Sequence, residues 1–190
     1  MHSRARQNSR KTELINAAIQ TIARSGTLDV TVADIARAAG MSPALAHHYF
    51  GSKDQIFLST MREILRRYGV TVRASLIGAD GPRARILAVL DASLGPENFD
   101  ANVIAAWLNF YALAQQDEEA ARLLRVYHRR LRSTLMADLR PLVGARAGTV
   151  ADTLGALIDG VYLRQALEQD APQGLLNLPR EYLLSAISPE

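Results

Sequence analysis

The sequence contains no cysteine, and this absence excludes disulfide bonds, thiolate metal sites and cysteine nucleophiles together. It also lacks an apolar run of the roughly 18–20 residues that a membrane-spanning helix needs. The arginine-rich start has no apolar stretch of the kind found in secretory signals. We therefore expect a protein of the reducing cytoplasm with no membrane segment.

Sustained alternation of polar and apolar residues, which is typical of half-buried strands, is absent as well. Apolar residues make up 48% of the 190 residues and recur at spacings of three and four. This pattern predicts a folded all-α protein. Gly26, Gly40 and Pro141 are expected to end three of its helices. The predicted helices cover about 9–25, 32–39, 44–49, 52–77, 82–94, 99–115, 118–139, 148–169 and 179–187.

The segment after the first helix has the local signals of two short helices joined by a tight turn. Thr31 with Asp34 forms a capping pattern at the start of one helix, and Gly40 ends it. Ser42 and Pro43 start the next helix, because serine caps a helix end and proline fits the first helical position. A tight, glycine-containing turn between crossed helices is typical of a helix-turn-helix unit.

The helix after this turn is expected to have one buried and one exposed side. Leu45 and Phe50 are predicted to pack inward, so the other side carries Pro43, Ala44, His47 and His48. A helix end with small and polar residues can approach base edges closely in the major groove of DNA. Ser52 and Gln55 form another capping pattern, and Lys53 beside them is well placed for a phosphate.

Charge is distributed unevenly along the chain. Residues 1–54 carry seven basic and four acidic residues, whereas residues 55–190 carry equal numbers of each sign. The whole net charge of +3 therefore lies in the N-terminal segment, where Arg4, Arg6, Arg10 and Lys11 precede any acidic residue. Such an arm can contact DNA phosphates by charge alone, although a solvated tail would have the same composition.

The N-terminal motifs resemble the DNA-binding signature of TetR-type repressors. The resemblance is carried by TVADIA at 31–36, AGMS at 39–42, HYF at 48–50 and SKD at 52–54. It implies phosphate contacts from Thr31, Ser42, Tyr49 and Lys53, and base contacts from Pro43, Ala44 and His47 or His48. Many members have tyrosine where this chain has His47. A metal site at the two histidines is disfavoured, because adjacent helical residues point about 100° apart.

The predicted helix at 148–169 is apolar around most of its circumference and must be covered on two sides. A second subunit would provide one cover, and a homodimer would place two recognition helices about one DNA turn or more apart. The alternative is a helix buried within a monomer. The residues predicted at the dimer interface, from this helix and the helix at 118–139, are Leu131, Leu135, Leu154, Ile158 and Val161.

The chain has few aromatic residues, and three of them fall within five positions. Trp107, Phe110 and Tyr111 lie on one helical face, and Tyr127 and Tyr162 come from helices expected to pack nearby. Ring faces can bind a quaternary ammonium group by cation–π attraction. The five rings are therefore candidate ligand-binding residues, although rings at this spacing also fill ordinary cores.

We predict a DNA-binding domain at 1–52 and a ligand-binding and dimerisation domain at 53–190.

The C-terminal motifs resemble those of the BetI-type repressors within the TetR family. The resemblance is carried by AWL at 106–108, RRL at 129–131 and LIDGVYLR at 157–164. It implies a repressor of genes that convert choline to glycine betaine or take up choline, released from a palindromic operator by choline or a related cation. The alternative is a TetR-type repressor that senses an unrelated amine or an apolar small molecule.

Two other classes of function are weaker interpretations of the sequence. No paired carboxylates, nucleophile triad, metal-spaced histidines or phosphate loop indicate an enzyme, and no cofactor is expected. A helical interaction protein, whose N-terminal domain binds protein instead of DNA, is the remaining alternative. The sequence leaves open the operator, the target genes, the effector and the number of dimers on each operator.

Overall fold

The computed structural model describes residues 2–25, 30–96, 98–167 and 174–188, and the side chains of residues 2–8 and 23 lie outside this description. All regular structure in these ranges is helical. The α-helices are α1 (His2–Ser25), α2 (Val32–Ala38), α3 (Pro43–Phe50), α4 (Lys53–Leu76), α5 (Gly81–Leu94), α6 (Ala101–Ala114), α7 (Glu118–Val143), α8 (Ala147–Leu167) and α9 (Leu178–Ile187). The prediction of an all-α fold is confirmed.

The chain forms two compact units. The first unit combines residues 1–65 with 101–122, and α1 packs in it against α2 and α6. Its core contains fully buried Leu14, Ile35 and Ala46, with Leu45 and Phe50 partly buried against them. The inward packing predicted for Leu45 and Phe50 is therefore confirmed.

The second unit combines residues 66–100 with 123–190, and in it α8 packs against α5 and α9. One side of α8 is buried in this unit, at the apolar positions Val150, Leu154, Ile158 and Val161. The two units are defined by which residues pack together, whereas the predicted boundary between residues 52 and 53 separates a DNA-binding domain from a ligand-binding domain. The predicted domain boundary therefore stays a prediction.

The prediction that Pro141 ends a helix is wrong. The helix α7 continues through Pro141 to Val143, and a 3₁₀ turn at Gly144–Arg146 leads into α8. Proline removes the hydrogen bond to the carbonyl four residues earlier, but packing supports the helix here, because Leu139 and Val143 on either side of Pro141 are buried. The first helix also begins earlier than predicted, at His2. The predicted stop at Gly26 and the last two residues of the helix predicted at 148–169 lie outside the described residues.

Candidate DNA-binding surface and effector site

The helices α2 and α3 begin at the capping residues that the sequence indicated, and Gly40 lies in the turn between them. The Thr31 hydroxyl accepts a hydrogen bond from the Asp34 backbone N–H at 3.1 Å, and the Asp34 carboxylate accepts one from the Thr31 backbone N–H at 3.1 Å. Gly40 has a φ of 64°, a conformation that favours glycine. The Ser42 hydroxyl then accepts from the Leu45 N–H at 3.2 Å, with Pro43 at the first helical position. The predicted capping interactions are confirmed.

Electrostatics reinforce the cap of α2. Hydrogen bonds from the side chain and backbone of Thr31 lower the pKa of Asp34, and the Arg37 guanidinium, whose Nη1 lies 3.1 Å from the carboxylate, lowers it further. Asp34 therefore stays ionised at the start of α2, where a negative charge is stabilised by the helix dipole. The cap holds the N-terminal end of α2 in one conformation.

The side chains predicted to contact DNA fall into an exposed group and a half-buried group. Tyr49 and Lys53 are half-buried, and the Lys53 ammonium lies 5.7 Å from the centre of the Phe57 ring. The other six are exposed on the first unit: Thr31, Ser42, Pro43, Ala44, His47 and His48. The recognition helix therefore presents a free outer side, while its inner side packs into the core. DNA contacts by these residues stay predictions.

A hydrogen-bonded network occupies the interior of the second unit. The Tyr68 hydroxyl lies 2.9 Å from the Ser93 hydroxyl, and the Tyr162 hydroxyl donates a hydrogen bond to the Ser93 backbone oxygen. Ser93 itself is fully buried and donates to the Val89 oxygen at 2.8 Å. The Tyr162 ring stacks on Phe99, with ring centres 5.2 Å apart. These contacts connect α4, α5 and α8 through groups whose polar atoms are satisfied.

A carboxylate lies close to these rings. The Asp159 Oδ2 is 3.3 Å from the His128 Nε2, and Tyr127 meets Tyr68 edge to face at 5.8 Å. Burial raises the pKa of Tyr162, and the charges of Tyr68 and Asp159 raise it further. Burial also raises the pKa of Tyr68, which the Ser93 hydrogen bond lowers and the Asp159 charge raises. Both phenols are therefore neutral at physiological pH, and the pair of Asp159 and His128 lies near them.

The five predicted ligand residues belong to different units. In the first unit, Trp107 lies 6.2 Å from Phe110 and 5.7 Å from Tyr111 between ring centres, so these three form one cluster on α6. A cavity that Phe110 lines measures about 10 Å³, which is at the lower limit for one water molecule. Tyr127 and Tyr162 belong to the second unit. The grouping of all five as one ligand site stays a prediction.

The five side chains predicted at the dimer interface make their contacts within the chain. Their exposed fractions are 0–5%, and their place at a dimer interface stays a prediction: they are Leu131, Leu135, Leu154, Ile158 and Val161. Other leucines near the same helices are exposed, namely Leu163, Leu167, Leu176 and Leu178. Apolar surface that could be covered by a partner therefore lies at the end of α8 and the start of α9.

The described residues contain neither a metal-binding cluster nor a membrane-spanning helix. No three metal-ligating side chains come together in these ranges, and no helix there combines the length and hydrophobicity needed to cross a bilayer. An open groove of about 430 Å³ in the second unit is lined by Arg146, Thr149, Val150, Tyr182, Ser185 and Ala186. None of the predicted ligand residues lines this groove.

Comparison with known proteins agrees with the helix-turn-helix assignment. Residues 14–60 match the family model of the bacterial regulatory proteins of the tetR family, and residues 82–187 match that of the BetI-type transcriptional repressor C-terminal domain. The fold and the exposed α3 thus define a helix-turn-helix DNA-binding regulator. The chain belongs to the TetR family of transcriptional regulators and carries a BetI-type C-terminal domain.

Curated relatives extend over most of the chain. It is 48% identical over 182 residues to the HTH-type transcriptional regulator BetI of Brucella suis biovar 1, covering 94% of this chain and 92% of that protein. It is 51% identical over 164 residues to the BetI regulator of Brucella anthropi, covering 86% and 84%. Family and relatives are transcriptional regulators, so the prediction that the protein is not an enzyme is confirmed.

Solved structures share the fold. A transcriptional regulator from Saccharomonospora viridis, solved in complex with choline, has a TM-score of 0.86 at 21% identity and covers 96% of this chain and all of that chain. A regulator from Pseudomonas aeruginosa PAO1 has a TM-score of 0.80 at 26% identity, covering 94% and 90%. At 21% identity, the first of these shows the fold alone.

Several neighbours of the sites were not singled out from the sequence. Ala46 is fully buried on the inner side of α3, where its small size permits close helix packing, and Arg62 donates to the Glu119 carboxylate. Ser93 and Phe99 join the tyrosine network across long sequence separations. Helical spacing signals Ala46, whereas no local pattern signals contacts such as that of Arg62 with Glu119, 57 positions apart.

Proposed function

We propose that the protein is a homodimeric repressor that binds a palindromic operator through α3 and is released by choline or a related quaternary ammonium compound. Its targets would be genes for betaine synthesis or choline uptake, and it would act in the cytoplasm, where its operator lies. The proposal of DNA binding rests on one observation: the outer side of α3 is exposed, and Ser42 and Ser52 cap α3 and the helix that follows it. The BetI names of the relatives support the effector part.

The candidate effector site is best supported in the second unit. A choline-like ligand needs aromatic faces for its trimethylammonium group, and each ring contributes about 0.5–2 kcal/mol by cation–π attraction. Tyr127 and Tyr162, which are 6% and 4% exposed, would supply such faces, and Asp159, now 3.3 Å from His128, would supply a compensating charge. Trp107, Phe110 and Tyr111 on α6 remain candidate ligand residues in the first unit.

A homodimer is proposed because one eight-residue recognition helix contacts too little DNA for a specific affinity. Exposed Leu163 and Leu167 at the end of α8, with Leu176 before α9 and Leu178 at its start, offer apolar surface that a second copy would cover. Ligand binding must favour the dimer geometry that fits DNA poorly, since a ligand with equal affinity for both geometries shifts nothing.

The DNA-binding part is tested by titrating duplex DNA at about 150 mM salt with the wild-type protein and with Lys53→Ala. Operator DNA should bind far more tightly than random DNA, and Lys53→Ala should weaken binding to both and lower the salt slope by about one for each protomer. Arg180→Ala, at an exposed ion pair with Asp91 in the second unit, serves as the control. Equal affinity of the wild-type protein for operator and random duplexes would contradict specific binding, and unchanged binding by Lys53→Ala would favour the protein-interaction alternative.

The effector part is tested by choline titration followed by Trp107 fluorescence and by release of bound DNA. Asp159→Asn should weaken choline binding, whereas Asp152→Asn, on the same helix at an exposed ion pair with Arg132, should not. No response of the wild-type protein to millimolar choline would eliminate this effector. A response to another amine or to an apolar compound would then establish the alternative sensor.

A further inference from the structure

The C-terminal end of the recognition helix is closed by two hydrogen bonds between the same residues. The Gly51 backbone N–H donates to the His47 backbone oxygen at 2.7 Å, and the His47 Nδ1 lies 2.7 Å from the Gly51 backbone oxygen. A carbonyl oxygen only accepts, so the hydrogen of this second bond belongs to Nδ1. The imidazole of His47 is therefore a side-chain donor directed at the turn that follows α3.

This turn connects the recognition helix to Lys53, which is predicted to contact phosphate. Gly51 has φ 78° and ψ −83°, a conformation that side-chain-bearing residues rarely adopt. The next residue, Ser52, accepts the Gln55 N–H at 3.2 Å and so caps α4, whose first residue is Lys53. A rotation of the Gly51 peptide would move Ser52 and Lys53 together with respect to α3.

We propose that His47 is a positioning residue for DNA binding. Its Nδ1 hydrogen bond holds the Gly51 peptide in one orientation, and this orientation places Lys53 at the phosphate backbone while α3 lies in the groove. The inference rests on the DNA-binding function of the protein. It assigns to His47 a role that needs no contact between the imidazole and a base.

The physical need for such a restraint comes from glycine. Gly51 has wide conformational freedom, so its own backbone preference does not select the observed orientation. A built Cβ at Gly51 meets no atom within 4 Å, so neighbouring side chains do not select it by packing either. The hydrogen bond from the Gly51 N–H to the His47 backbone oxygen fixes the peptide before Gly51. The hydrogen bond from the His47 side chain fixes the Gly51 carbonyl, in the peptide after it.

Two substitutions separate the donated hydrogen bond from the ring. His47→Asn puts the amide Nδ2 at the same number of bonds from the backbone as the imidazole Nδ1, so it can still donate to the Gly51 oxygen. His47→Leu keeps an apolar branch at that position and removes the donor. Leucine is the better helix former, so helix propensity alone would favour the leucine variant.

The experiment measures affinity against salt concentration, using a duplex that the wild-type protein enriches from a random-sequence library. We expect His47→Leu to lose about tenfold in affinity at 150 mM salt and its salt slope to fall by about one for each protomer, because Lys53 no longer meets its phosphate. His47→Asn should keep the wild-type slope and stay within about twofold of the wild-type affinity. A merely structural defect would lower the active fraction and leave the slope unchanged.

His48→Leu is the matched control, because it removes an imidazole from the adjacent exposed position. This variant should change the preferred sequence and keep the salt slope. Wild-type affinity and slope in His47→Leu would overturn the proposal, and so would equal losses in the leucine and asparagine variants, which would show that the ring itself contacts DNA. Failure of the wild-type protein to enrich any sequence would instead refute the proposed DNA-binding function.

Discussion

The two compact units use side-chain hydroxyl groups in opposite ways. In the first unit, Thr31, Ser42 and Ser52 are exposed, and each accepts a hydrogen bond from a backbone N–H three residues further along the chain. In the second unit, the hydroxyls of Tyr68 and Tyr162 meet at Ser93, across 25 and 69 residues of sequence, in the interior. Short-range caps shape the recognition helix, whereas long-range contacts organise the other unit.

This difference has a consequence for substitution. A surface held by local caps can change its outer side chains without repacking, because the inner residues carry the packing. A buried network loses packing and leaves polar partners unsatisfied when one member is removed. We therefore expect substitutions on the outer side of α3 to alter DNA binding and substitutions in the buried Ser93 network to alter stability.

The largest effect is expected from Tyr162→Ala in the second unit. The variant removes a ring that is 4% exposed and stacked on Phe99, and such truncations cost about 3–5 kcal/mol of unfolding free energy. Tyr162→Phe keeps the ring and removes only the hydroxyl, so it should cost about 1 kcal/mol. Urea unfolding measures both variants. Equal losses in the two would show that the hydrogen bond, and not the ring packing, dominates this site.

An intermediate effect is expected from His48→Ala on the outer side of α3. If His48 contacts a base, its loss should change the discrimination between operator and single-base variants by about 1–3 kcal/mol. The unfolding free energy should change by no more than about 0.5 kcal/mol, because the side chain is exposed. Competition binding with a panel of single-base variants measures the first quantity. A large loss of stability without altered discrimination would break the contrast between the units.

The smallest effect is expected at the cap of α2. Thr31→Ala removes the capping hydroxyl and should lower the unfolding free energy by about 1 kcal/mol. The carboxylate of Asp34 contributes when it is ionised, because its pKa is lower in the folded protein than in the unfolded chain. This contribution is complete above the ordinary carboxyl pKa of about 3.9 and is lost as the pH falls through the depressed value.

The pH dependence is measured by comparing the wild-type protein with Asp34→Asn in thermal unfolding. The difference between them should be constant near neutral pH and should shrink only in acid. A difference that already declines between about pH 7 and pH 5 would show that another group is responsible.

The sequence predicted the first unit better than the second, for a physical reason. The caps at Thr31 and Ser42 depend on partners three residues away, so their order in the chain is enough to identify them. The Ser93 network depends on how separate helices pack, and no local spacing encodes it. The failure at Pro141 has the same origin, because α7 continues through the proline with Leu139 and Val143 packed in the interior, and local sequence does not encode this packing.

His47 illustrates what a family resemblance leaves undetermined. The resemblance implied a base contact from His47 or His48, and the structure adds that the His47 Nδ1 lies 2.7 Å from the Gly51 oxygen. Helical spacing placed the residue on the exposed side correctly. The direction of the ring depends on the backbone of the following turn, which a helical pattern does not describe.

The Tyr162 hydroxyl also provides a natural spectroscopic reporter. Its hydrogen is donated to the Ser93 backbone oxygen in the interior, so exchange with bulk water requires that the local structure open. Such a hydrogen should give a resolved proton resonance in an NMR spectrum, where exposed hydroxyl hydrogens are averaged away. A shift or broadening of this single resonance on addition of an effector would report a change in the second unit, without the need for a label.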